Sequence, residues 1–241
     1  MTSNIETVRQ LTSQIDGFLS DDEGELLYRL ARNVPSGQAI VELGRFKGKS
    51  TVWLAKGTES GHKNRVYSIA PAAGSKDRIS GGNNNTSTAF LTNLTKAGVH
   101  DTVVALAITS DNAAKLWKKN VGLKVGLLWV NASREYEDAK KTLLSWKQHL
   151  VPGAIVALHN CDQPGPAQVV KECFGHSGDF AIIQSVDTTV VAEKDKCIHY
   201  WNIDSNDIGV CNYCGKTRSF KRPFGQPAPK GKTGKGSDMQ A

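Results

Sequence analysis

Short apolar runs and amphipathic stretches take turns along most of this chain, and that alternation limits the fold more than any single motif. The runs Ala39–Leu43, Val66–Ala70, 102–108, 124–130 and 154–159 are of a length and composition suited to buried strands. Between them, 50–56, 87–97, 112–119 and 134–150 repeat apolar residues at helical spacing. Repeated strand–helix units imply a mostly parallel sheet covered on both faces. The runs Phe180–Val186 and 188–192, linked at Asp187, predict an antiparallel pair closing one edge. The expectation is an α/β, doubly wound sheet of seven strands.

Two helices precede the first strand. Ile5, Val8, Leu11, Ile15 and Phe18 recur on one face. Ser20 followed by Glu23 has the capping-box pattern and opens a second helix with Leu26, Leu27, Leu30 and Ala31 turned inward. The helix over 134–150 carries the clearest stripe, with Tyr136, Ala139, Leu143, Trp146 and Leu150 together.

Other classes fall away on composition. No run approaches the eighteen or so apolar residues of a membrane span, and the first ten residues lack the apolar core of a secretory signal. A cytoplasmic protein with its five cysteines reduced is therefore expected. The net charge is +7, but the stretch from Gly215 onward holds seven Lys/Arg against Asp238 alone. The body of the chain is thus near neutral and shows no nucleic-acid footprint by charge.

Ligands of such sheets bind beyond the carboxyl ends of the strands, which directs attention to Gly44, Ala70, Asp111, Asn131 and His159. The first end reads Glu42-Leu43-Gly44-Arg45-Phe46-Lys47-Gly48-Lys49-Ser50-Thr51. Gly44 permits a tight turn, and Ser50 or Thr51 is placed to cap the next helix. A phosphate loop needs four residues between its glycines, and only three stand here. Two readings stay open: a Glu-x-Gly-x-x-x-Gly turn that cradles the amino-acid part of S-adenosylmethionine (SAM), or a turn that only packs helix on strand.

These residues, together with 22–31, 66–74, 126–146 and 150–160, resemble the class I SAM-dependent methyltransferases, and within them methyltransferase family 24. The resemblance implies a Rossmann-like seven-stranded fold over 1–194. It implies that Glu42, Gly44, Gly48 and Ser50 lie at the methionine end of SAM. Ser110 and Asp111 would stand where the family reads adenine, with Asp111 equally suited to a helix cap. Several family acids are missing. Ala70 replaces the carboxylate expected to accept the ribose hydroxyls, and Asn131, Ser133 and Asn160 stand where magnesium ligands are expected. Neutral amide oxygens are poor substitutes around a hard divalent cation, so no magnesium is expected. Methyl transfer to a small-molecule acceptor would then run without metal, with His159 or Tyr136 assisting deprotonation. Alternatively, His159 and Tyr136 are structural, and the domain is a catalytically inactive one that binds a ligand or partner.

The C-terminal region is a separate matter. Cys197 and His199, then Cys211 and Cys214, suit tetrahedral Cys₃His zinc in a small module over 195–222; the alternative is a hairpin with free thiols. The basic tail 223–241 reads as disordered. It would serve either as a solubilising terminus or, with aromatic neighbours such as Tyr200 and Tyr213, for contact with nucleic acid or an acidic partner. Cys161 and Cys173 carry no motif, 164–166 reads as a loop, and 74–87 as a mobile loop over the cleft.

Overall fold

The computed structural model describes residues 4–71, 84–131, 135–174, 179–197 and 199–221. The readings for residues 74–83, Ser133 and 223–241 lie outside them. The chain divides into two units, 1–198 and 199–241.

The first unit is built on β1 (Ala39–Leu43), β2 (Val66–Ala70), β3 (Val103–Ala107), β4 (Val125–Val130), β5 (Leu150–Leu158), β6 (Phe180–Val186) and β7 (Thr189–Lys194). They form one sheet in the order β3-β2-β1-β4-β5-β7-β6. The pairs among β1 to β5 are parallel, while β7 runs antiparallel to both β5 and β6. Strands β1 and β4 are buried along their whole length, as expected of the centre of a sheet covered on both faces. Consecutive strands step outward from β1 on one side and then return to β4 on the other. The order therefore reverses between β1 and β4, and the crevice at that reversal lies between Gly44 and Asn131.

Helices α1 (Ile5–Ser13), α2 (Asp21–Arg32), α3 (Lys49–Glu59), α4 (Asn84–Lys96), α5 (Ser110–Asn120), α6 (Tyr136–Lys147) and α7 (Pro164–Cys173) complete the unit. Residues of α1 to α4 pack into one buried cluster with Ile40, Leu127 and Trp129. Residues of α5 to α7 pack into another with Val41, Leu43, Leu128 and Val130. Alternation along β1 and β4 thus feeds two cores. No described helix is long and apolar enough to cross a membrane.

Four expectations needed correction. Residues 84–87, expected in a mobile loop, form the opening turn of α4. Helix α1 stops at Ser13, so Ile15 is buried beyond the helix and Phe18 is left 82% exposed. Helix α6 ends at Lys147, and Leu150 instead opens β5 opposite Val125. The supposed loop at 164–166 is the first turn of α7, where proline lacks only an N–H that the first turn of a helix leaves unbonded.

Close packing of α2 on α3 depends on glycines. A Cβ at Gly57 would stand 2.4 Å from the Tyr28 carbonyl oxygen and 3.0 Å from the Ala31 Cβ. One at Gly24 would meet the Trp53 indole.

The second unit holds an antiparallel sheet of β8 (Trp201–Ile203), β9 (Ile208–Cys211) and β10 (Thr217–Ser219), with β9 central. The Trp201 and Phe220 rings meet at 5.6 Å over Gly209.

Gly57→Ala should destabilise the protein by about 2 kcal/mol, because overlap with backbone outweighs the ~1 kcal/mol gain in helix propensity. Chemical denaturation would measure it, and a stabilised variant would contradict the packing described.

Candidate functional site

The turn after β1 is held from below. Glu42 is fully buried, and its carboxyl accepts from Ser50 Oγ at 2.5 Å, Thr51 Oγ1 at 2.6 Å and Ser68 Oγ at 2.5 Å. Burial pushes this carboxyl above its ordinary value, against the opposing pull of the three hydroxyls and Arg45. Ser50 and Thr51 therefore do not cap α3. The N-cap is Gly48, which has no side chain to offer, so the first N–H groups of α3 are left without a side-chain acceptor. Gly44 (φ 87°), Phe46 (φ 41°) and Gly48 (φ 92°) are all left-handed; the N–H groups of Gly44 and Gly48 bond the Ile69 and Arg45 carbonyls at 2.9 and 2.8 Å, which leaves the N–H groups between them and at the uncapped start of α3 for an anion. Asn93 Nδ2 donates to the Lys47 carbonyl at 2.9 Å and fixes the turn from α4.

Both lysines of the motif point elsewhere. Lys47 pairs with Asp16 at 2.6 Å, and Lys49 donates to the Leu19 carbonyl at 2.9 Å. Neither serves the turn as a phosphate-loop lysine would.

A second buried network occupies the ends of β4 and β5. His159 Nδ1 lies 2.9 Å from Asn131 Oδ1, which also accepts from Asn160 Nδ2 at 3.3 Å. On its other side His159 Nε2 faces Glu23 Oε2 of α2 at 3.5 Å. Glu23 accepts besides from the backbone N–H of Ser20 and Thr188 and from the hydroxyls of Thr188 and Thr189. Burial works to raise the Glu23 carboxyl, but the bonds from His159, Ser20, Thr188 and Thr189 prevail and bring it down to about 2. Both ring nitrogens of His159 are thus occupied by neighbouring side chains. The sequence pattern gave Glu23 only its role in the capping box, which the structure does show; its partners in the β6–β7 link are too distant in sequence to be seen.

The remaining candidates sit nearby on α5 and α6. Thr109 caps α5, so Asp111 does not. Ser110 accepts from Trp146 Nε1 at 2.9 Å, and Asp111 pairs with Lys141. Tyr136 donates from its hydroxyl to Glu172 at 2.5 Å and accepts from Lys140 at 2.6 Å, which joins α6 to α7. The donor bond to Glu172 raises the Tyr136 phenol above its usual value, against the opposing bond from Lys140.

Among the described residues, those at the ends of β4 and β5 do not fit magnesium. At the ends of β4 and β5 the described side chains are Asn131, His159 and Asn160, already bonded to one another. The nearby carboxylate of Glu23 is buried and fully engaged.

A zinc site is a different matter. One donor atom each from Cys197, His199, Cys211 and Cys214 lie within 4.8 Å of one another, and Cys214 Sγ is 3.4 Å from His199 Nδ1. Tetrahedral zinc spaces such donors roughly 3.3–3.8 Å apart, so a small contraction suffices. Burial acts to raise the Cys211 thiol, yet N–H groups of Cys214 and Tyr213 and the His199 ring lower it to about 6. A thiol that readily loses its proton is what a metal ligand requires.

Glu23 stabilises the fold through a depressed carboxyl. That contribution, on the order of 2 kcal/mol, is fully present above the ordinary carboxylate value. It disappears as pH falls toward about 2. Glu23→Gln should remove this segment of the acid-unfolding curve; an unchanged curve would contradict the network. For the Cys/His cluster, elemental analysis should find one zinc per chain, and Cys211→Ser should lose it and open 199–221 to proteolysis. Absence of zinc from protein purified without chelator would overturn the assignment.

The chain can now be set beside known proteins. The family described as a methyltransferase domain, Methyltransf_24, matches residues 41–161, about half of the chain. No curated protein sequence is matched. Among solved structures, the O-methyltransferase from Bacillus cereus in complex with SAH is 14% identical with a TM-score of 0.57, the match covering 79% of this chain and 90% of that one. The O-methyltransferase TomG from Streptomyces achromogenes, of tomaymycin synthesis and in complex with SAM, is 19% identical with a TM-score of 0.56, covering 79% and 89%. At such identities the likeness concerns the fold. The match begins within β1 and runs past β5, and it holds the glycine turn together with Glu42, Asn131, His159 and Asn160, so the chain belongs to the methyltransferase-domain family Methyltransf_24.

Proposed function

We propose that this protein is a SAM-dependent methyltransferase that acts on a small-molecule acceptor without a divalent metal. The observation that carries the proposal is the concave turn from Gly44 to Gly48. It stands at the reversal of strand order, with the uncapped start of α3 behind it. A donor's carboxylate suits those N–H groups. In this reading Gly44 and Gly48 line the methionine end, while Glu42 and Ser50 hold the turn's shape from beneath. Ser110 and Asp111 lie at the adenine side.

SAM supplies an electrophilic methyl carbon, whose bond to sulfur breaks toward sulfur as the acceptor's lone pair bonds to carbon. The protein's part is chiefly to bring donor and acceptor together in line and to keep water out. His159 acts through Asn131, whose side chain it orients beside Gly44. Tyr136 holds α6 at the acceptor side through Lys140 and Glu172. An acceptor that is already nucleophilic needs no more than this, and its proton leaves to solvent.

One observation favours a second reading, a domain that binds the nucleoside but no longer transfers a methyl group. Both His159 nitrogens and the Tyr136 hydroxyl are occupied by neighbours, which leaves no ready base.

Titration calorimetry with S-adenosylhomocysteine (SAH) should give saturable binding below millimolar concentration, weakened at least about tenfold by Gly48→Ala. A Cβ at Gly48 meets a left-handed backbone and the Phe90 ring at 3.0 Å. No heat at millimolar ligand would remove the enzyme reading. Turnover of any hydroxyl, thiol or amine acceptor should be unaffected by EDTA; loss restored by magnesium would refute metal independence. Binding without turnover across such a panel would support the second reading.

A further inference from the structure

We propose that Arg45 is the ribose anchor of the donor site, holding the 2′ and 3′ oxygens by donating hydrogen bonds where the family's acid would accept them. The proposal rests on the nucleoside-binding reading above and adds to it the residue that recognises the sugar.

The Arg45 side chain leaves the glycine turn and crosses the carboxyl ends of β2 and β3. Its Nη1 donates to the Ser68 carbonyl at 3.0 Å and the Leu106 carbonyl at 3.3 Å. The guanidinium lies against the Phe90 ring, 4.6 Å from its centroid. Stacking and two carbonyls fix its plane. Among the described residues, Nε and Nη2 have no hydrogen-bond partner, and no carboxylate forms an ion pair with the group.

The position has consequences for residue 70. Ser68 projects to the face of the sheet that carries Glu42, because its hydroxyl bonds that carboxyl. Ala70, two residues on, projects to the same face. That is where the acid expected to receive the ribose hydroxyls is missing. The end of β2 therefore presents a methyl group and, from the neighbouring turn, a cation with unused donors. A ribose hydroxyl both donates and accepts, so exchange of an acceptor for a donor does not abolish its recognition. The planar fork of a guanidinium matches two adjacent oxygens.

The test compares SAH with its 2′,3′-dideoxy analogue by calorimetry. The unaltered protein should bind SAH at least about tenfold more tightly than the analogue. In Arg45→Ala that preference should fall to within about twofold, with the analogue's own affinity little changed. Arg45→Lys, which keeps the positive charge without the planar fork, should show a reduced preference, and thermal melts of both variants verify the fold. A preference equal to that of the unaltered protein in both folded variants would overturn the proposal alone. So would an equal loss of affinity for both ligands. Failure of the unaltered protein to bind either ligand would overturn the nucleoside reading and this proposal with it.

Discussion

A single carboxyl group holds the start of this site together. Glu42 lies at the end of the central strand, out of water, and three hydroxyls from two other elements converge on it. Ser50 and Thr51 bring the first turn of α3, and Ser68 brings β2. Because a buried carboxyl is costly to leave unbonded, these three segments cannot separate without exposing or stranding it. The turn between Gly44 and Gly48 is the part of the chain left over once those anchors are set. The N–H groups at the start of α3 are left without a side-chain cap because the hydroxyls of Ser50 and Thr51 serve Glu42 instead of the helix end.

Glu42 and Glu23 show how the same residue type is used in two ways on one face of the sheet. Glu42 meets hydroxyls, and burial dominates, so its carboxyl is raised. Glu23 gathers backbone N–H groups, two threonine hydroxyls and a histidine, and there the donors dominate. The first group fixes the turn at the crevice. The second ties α2 and the β6–β7 link to His159, and through His159 to Asn131 and Asn160. Where the resemblance leads one to expect acids around a metal, the chain instead has amides locked by a histidine, which is in turn locked by a carboxylate. Substitutions at the two strand ends thus fit one another.

Much of this was legible in the sequence because its signals are local. Strand-length apolar runs gave the seven strands, and the glycine pair and the close Cys/His pairs marked the two candidate sites. Failures arose where the deciding contact is remote. Phe18 continues a helical period, but the helix ends five residues earlier. Pro164 and Pro166 suggest a loop, yet proline is at home in a first helical turn. Ser50 and Thr51 look like caps until a buried carboxyl eight residues back claims their hydroxyls. Glu23 announces only its cap, since Thr188 and Thr189 lie more than 160 residues away. Arg45 gives no sign in the sequence that it would lie across β2 and β3.

An amide-resolved NMR titration with SAH addresses the crevice itself, because each N–H of the turn reports separately. Signals of Gly44, Gly48, Ser50, Ser110 and Asn131 should move together and saturate at one ligand per chain, while those of β6 stay in place. Shifts confined to residues away from the carboxyl ends of β1 through β4 would show that the turn is packing alone, and the functional account would fall with it.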